Sequence, residues 1–139
     1  MPQMIFVNLP VRDLAASRSF YAALGFSFNP LFSNDTSACL VISDTIFAML
    51  LTHKRFADFC ALPIADPQTS VAHLLALSRE SRAEVDLLAT RALAAGAREP
   101  NPAQDHGFMY ARSVTDPDGH IWEAFWMDPA AATAGPPTE

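Results

Sequence analysis

The chain has 139 residues, 50% of them hydrophobic and 17% charged, a length that suits one compact domain with a real core. Its formal charge is −6 with no basic run, which argues against nucleic acid or an anionic membrane surface as a partner. Cys39 and Cys60 form no CxxC and no regular spacing, so no disulfide framework is read, although a single bridge stays open. Met4-Ile5-Phe6-Val7 is too short for a signal peptide or a span, and the expected compartment is the cytoplasm.

The first predicted element is a strand over Met4 to Val11, with Pro10 suiting an edge or the strand's exit. Asp13 is placed to cap a helix from Leu14 to Leu24, and Gly25 to stop it. Phe26 to Phe32, interrupted by Pro30, reads as a short or edge strand. Strands over Ser37 to Ile42 and Thr45 to Leu51 follow, joined by a Ser43-Asp44 turn. His53 ends that strand, and the stretch to Ser70 has no sustained period; it reads as a connector, inert or folded as a flap, with one helical turn around Phe56, Phe59 and Cys60.

Val71 to Ser78 is the next strand. Ser81-Arg82-Ala83-Glu84 matches a capping box ahead of Val85, Leu88, Ala92 and Leu93 at helical spacing, and Gly96 stops that helix. A short strand is expected to start at Ala97 to Glu99. Gln104 to Gly107 reads as a loop and Phe108 to Val114 as a strand. Asp116-Pro117-Asp118-Gly119 carries turn chemistry and feeds a last strand, in which Ile121, Glu123 and Phe125 share one face and Trp122, Ala124 and Trp126 the other. The two tryptophans are expected to pack under a helix. Ala130 to Glu139 reads as a flexible tail.

The order is β-α-β-β-β twice. The fold class is α+β: two tandem modules, 4–53 and 71–128, joined by a 54–70 connector within a single domain of residues 1–129. This order resembles the glyoxalase / bleomycin-resistance / extradiol-dioxygenase group, the vicinal oxygen chelate superfamily. Ile5 to Leu14 resembles its opening strand and cap, Phe20-Tyr21-Ala22-Ala23-Leu24-Gly25-Phe26 its "FY-x-x-LGF" helix end, and Asp116 to Glu123 its "DPDG-x-x-x-E" closing hairpin. The resemblance implies curved sheets around a cleft, and in metal-dependent members four ligands, on the first and last strands of each module. Here those positions fall on Phe6, on Leu74 with His73 beside it, within Thr45 to Leu51, and on Glu123.

One carboxylate does not hold a catalytic divalent ion. No metal or other cofactor is therefore expected; a site rebuilt from Glu123, His106 and His53 for Zn, Ni, Mn or Fe is the alternative. By strand parity Phe6, Asn8, Leu74, Ala76, Ile121, Glu123 and Phe125 should line the concave face, an apolar bowl with one amide and one carboxylate. Tyr110 and Arg112 are candidates beside Glu123, with outward-facing side chains as the other reading. Desolvation in the bowl would raise the Glu123 pKa and suit a general base; a hydrated position at the mouth would leave its titration ordinary. The expected function is metal-independent binding of a small molecule by a homodimer, with Glu123 as ligand contact. The alternatives are a metal-dependent lactoylglutathione lyase-like or dioxygenase-like enzyme, or a metal-free isomerase or lyase using Glu123 as base.

Overall fold

The computed structural model describes residues 2–137 and divides into two compact units, Met1–Ser70 and Val71–Glu139. In the first unit β1 (Ile5–Val11) leads into α1 (Leu14–Ala23), then β2 (Ser27–Asn29), a 3₁₀ turn (Pro30–Phe32), β3 (Ser37–Val41), β4 (Ile46–Thr52) and α2 (His53–Ala57). The strands form one sheet in the order β1-β4-β3-β2, with β1 parallel to β4 and the remaining pairs antiparallel. The second unit has β5 (Leu75–Ser78), α3 (Arg82–Ala94), β6 (Gln104–Asp105), β7 (Met109–Thr115), β8 (Ile121–Met127) and α4 (Pro129–Ala134). Its sheet runs β5-β8-β7-β6 with the same directions, so the repeat expected from the sequence is present in topology as well as in order.

Local chemistry accounts for the helix boundaries. Asp13 Oδ1 accepts from the Ala16 N–H at 3.1 Å, and Gly25 adopts φ +101°, a left-handed conformation that glycine alone takes without strain. Ser81 accepts from the Glu84 N–H at 3.2 Å, while Glu84 reaches back to the Glu80 N–H at 3.0 Å, one residue earlier than an ideal capping box. Cross-strand register then separates the two faces of each sheet. In the first unit Leu9, Leu40, Ala48 and Leu50 are fully buried with Phe20 and Tyr21 of α1. In the second, Val114, Trp122 and Ala124 are buried with Val85, Leu88 and Ala92 of α3. Trp122 therefore lies under a helix as expected, and Trp126 lies on the same face with the Arg82 guanidinium 5.1 Å from its ring.

Several boundaries differ from the sequence reading. The stretch from Phe26 to Phe32 is strand for three residues only, because Pro30 opens a 3₁₀ turn whose first N–H, that of Leu31, is met by Asn29 Oδ1 at 3.0 Å. His53 begins α2 instead of ending a strand, since Thr52 Oγ1 caps that helix by accepting from Arg55 N–H at 3.2 Å. The strand expected from Val71 starts only at Leu75. Ala97 to Glu99 is not a strand: Arg98 exchanges single bonds with Thr115 at the end of β7, and the edge strand forms at Gln104–Asp105, within the expected loop. Residues 130–134 of the expected tail are helical, in a helix that starts at Pro129. Asp128 caps them, Pro129 opens them and the alanines that follow favour helix; Ala131 is buried. Residues 138 and 139 of that tail lie outside the described residues.

Candidate functional site

The closing hairpin sets the position of Glu123. Asp116 Oδ1 accepts from the N–H groups of Asp118, Gly119 and His120 at 3.0, 2.9 and 2.8 Å, and Gly119 takes φ +102°. Asp116, Asp118 and His120 are all buried, so the turn is part of the core and not a flexible tip. It fixes Thr115 opposite Ile121 and hence Ser113 opposite Glu123. On the other side of β8, Ala76 of β5 is the neighbour of Glu123. The half-buried carboxylate thus stands on the face turned away from α3, in a row with Ile121 and Phe125.

The same register overturns one expectation. Tyr110 pairs with Trp126 and Arg112 with Ala124, so both point to the α3 side, opposite Glu123. There the Tyr110 hydroxyl donates to Asp86 of α3 at 2.6 Å, and the Arg112 guanidinium bridges Asp86 at 3.0 Å and Glu99 at 2.6 Å. Arg82 lies 5.2 Å from the Tyr110 ring centroid and grips Asp105 through two bonds of 2.8 and 2.9 Å. The hydrogen bond from Tyr110 is the first cause that holds the Asp86 carboxyl below its ordinary range, and the same bond raises the Tyr110 hydroxyl. Asp105 is pulled down to about 2 by its bonds with Arg82. These groups brace α3 to the sheet and leave Glu123 without their company.

Internal symmetry identifies the remaining positions. Val41 pairs with Phe47 as Thr115 does with Ile121, so the two hairpins close in equal loops and Met49 is the counterpart of Glu123. Asn8 pairs with Met49 as Ala76 does with Glu123, which makes Phe6 the counterpart of Leu74. The third position that the resemblance implies, open within Thr45 to Leu51 from sequence, corresponds by this register to Met49. In neither unit is the pair, an aromatic ring with a thioether in the first and an aliphatic chain with one carboxylate in the second, a good donor set for a hard or borderline divalent ion. Phe6 stacks on Phe47 at 4.7 Å with planes 10° apart, so its position is given to apolar packing. Asn8 Nδ2 donates to the Phe6 carbonyl at 3.1 Å, on its own strand. Leu74 and His73 precede β5 and are exposed; His106 follows β6 with its ring 6.2 Å from that of Phe108, and His53 is the first residue of α2. Among the described residues no three His, Cys, Asp or Glu side chains gather in a way that could hold a metal ion.

A small polar recess opens beside Glu123, with Asn101, Pro102, Gln104, Ala111 and Ser113 in its lining and a volume of about 20 Å³. Gln104 reaches it because β6 pairs Gln104 with Ala111. The reading from residue types missed Ser113, Gln104 and Asn101. The signal for Ser113 was available, since counting back from the Asp-Pro-Asp-Gly turn places it opposite Glu123. No such signal existed for the other two, whose approach depends on the irregular 97–103 segment.

Residues 3–43 match the family model described as bleomycin resistance protein-like N-terminal. No curated protein sequence matches the chain. Among solved structures it is similar to a hypothetical protein from S. aureus, 26% identical with a TM-score of 0.76 over 91% of this chain and 95% of the other. A glyoxalase-related enzyme from Fulvimarina pelagi is 25% identical, with a TM-score of 0.75 over 91% and 88%. A glyoxalase/bleomycin resistance protein/dioxygenase family enzyme from Burkholderia phytofirmans, 20% identical, gives a TM-score of 0.74 over 91% and 99%.

Proposed function

We propose that the chain belongs to the glyoxalase/bleomycin resistance/dioxygenase superfamily and that within it this protein is a metal-independent binder of a small, partly apolar molecule, contacted by Glu123. Superfamily membership alone does not choose a reaction, because one fold hosts many chemistries. The observation that carries the proposal is the set of side chains at the four symmetry-related positions, Phe6, Met49, Leu74 and Glu123. Taken unit by unit, Phe6 with Met49 offers no metal donor of the usual kind and Leu74 with Glu123 offers one carboxylate, which suits an oriented acceptor for a ligand more than a metal centre. Phe6 and Leu74 are 46% and 51% exposed, available to a ligand.

Two measurements test this reading. Purified protein dialysed against Ni²⁺, Zn²⁺, Mn²⁺ or Fe²⁺ and then against buffer is expected to retain far less than one equivalent. Stoichiometric retention would overturn metal independence and favour a lactoylglutathione lyase-like or dioxygenase-like activity. A thermal-shift screen of metabolites and cationic antibiotics is expected to return ligands whose effect weakens in Glu123→Gln. A second reading, a metal-free isomerase or lyase, is favoured by the same half-buried carboxylate acting as base. It requires Glu123→Gln to keep binding while losing turnover, and equal turnover in the variant removes it.

A homodimer belongs to the proposal, supported in the first unit by Leu31, Phe32, Phe59 and Leu62, each at least 64% exposed. Sedimentation equilibrium at micromolar concentration reads it directly; a monomer removes it. A cytoplasmic setting is supported by Cys39 and Cys60, both free thiols, and among the described residues no helix is long and apolar enough to cross a membrane.

A further inference from the structure

The recess beside Glu123 has a chemistry narrower than the apolar face around it. Ser113 is 5% exposed, and its Oγ finds no hydrogen-bond partner among the described residues. A buried hydroxyl left in that state is unfavourable, and a ligand group that meets it is favoured by the same amount. The recess of about 20 Å³ admits one water-sized group. Glu123, Ser113 and Gln104 are among the residues that line it, and their side chains, a carboxylate, a hydroxyl and an amide, can all accept. Arg112 is the one basic residue of the lining, and its guanidinium is engaged on the opposite face by Asp86 and Glu99. The subsite therefore has a negative formal charge, acceptors in excess and no fixed cation.

We propose that this recess is a subsite for the protonated primary amine of a ligand whose apolar body lies along Ile121 and Phe125. The inference rests on the small-molecule reading above and narrows it to alkyl or arylalkyl amines. An ammonium group is compact and carries three donors, one for each acceptor. A carboxylate or phosphate would meet Glu123 at close range and be repelled.

The test is an amide NMR titration of the full chain at pH 7 with n-hexylamine, 1-hexanol and hexanoate, three probes with the same apolar body. Hexylamine is expected to shift the Ser113 and Glu123 amides and to bind at least about ten-fold tighter than hexanol, with hexanoate weakest. Glu123→Gln should bring the amine down to the level of the alcohol, and Ser113→Ala should weaken it several-fold; unchanged shifts remote from the recess establish that each variant is folded. Equal affinity for amine and alcohol, preference for hexanoate, or an amine preference that survives Glu123→Gln overturns the amine subsite and leaves the binding reading standing. Failure of all three probes to move those amides also overturns the subsite. The broader reading falls separately, if the thermal-shift screen finds no ligand at all.

Discussion

At the scale of single residues, the clearest electrostatic feature is the Arg82–Asp105 pair. Two hydrogen bonds and the Gly107 N–H hold the Asp105 carboxyl at about 2. An unfolded aspartate titrates near 3.9, so the folded form binds its proton less readily. The stabilisation is therefore fully present above about pH 4 and is lost as pH falls through about 2. Both partners are well exposed to solvent, so the effect on stability is small in size. The melting temperatures of wild type and Asp105→Asn should differ at pH 6 and converge toward pH 2; a gap that widens on acidification would contradict this. Tyr110 and Asp86 give a second check. Tyr110→Phe removes the first cause of the lowered Asp86 pKa, and a carboxyl NMR titration should show Asp86 moving back up toward its ordinary range. These pairs were hidden at the sequence level because Asp86, Glu99 and Tyr110 lie on different elements. Chain proximity says nothing of their meeting.

At the scale of elements, the hairpin from Thr115 to Ile121 determines more of the site than any helix does. One buried carboxylate oxygen receives three backbone N–H groups there. Asp116→Ala removes the side-chain acceptor of all three, while Gly119 N–H keeps another, the Asp116 carbonyl at 3.0 Å; hydrogen bonds to a charged group contribute about 1.5–3 kcal/mol net. A loss of about 2–3 kcal/mol is expected by urea denaturation, with Ser113 and Glu123 losing their shared register. Asp116→Asn, which keeps an acceptor oxygen, should recover part of it. The helix caps are weaker levers. Ser81→Ala should cost about 1 kcal/mol, and an unchanged urea midpoint would show that α3 is held by packing alone. The elements that the sequence reading placed well are those with local determinants, such as Asp13 with Gly25 and Ser81 with Gly96. Those it misplaced, β6 and the start of β5, have short runs and owe their strand character to a partner across the sheet.

For the whole molecule, the repeated βαβββ order makes each half a measure of the other. Met49 is legible as the counterpart of Glu123 only because both hairpins close in equal loops. From that comparison comes a prediction about the protein as it is purified: a ligand at 100 times its Kd should add about 2.7 kcal/mol of stability. For a chain of this size that is a rise of roughly 5–10 °C in Tm, whereas added divalent metal should leave Tm unchanged. A metal-dependent rise without ligand would count against the reading. What the sequence determined by itself was the fold class, the twofold repeat, the helix caps and stops, the α3-facing tryptophans and the isolation of one carboxylate at the family's ligand positions. The first four follow from local turn chemistry and from periodicities of 2 and 3.6 residues, which the chain carries within short windows; the last is what the family resemblance implies. The tertiary structure alone decided that Tyr110 and Arg112 face α3, that residues 130–134 of the expected tail are helical, and that Gln104 joins Ser113 and Glu123 around a recess. Those outcomes depend on register across strands and on loops such as 97–103. A one-residue shift exchanges the two faces of a strand, and parity read from a single strand does not say which neighbour's face it shares.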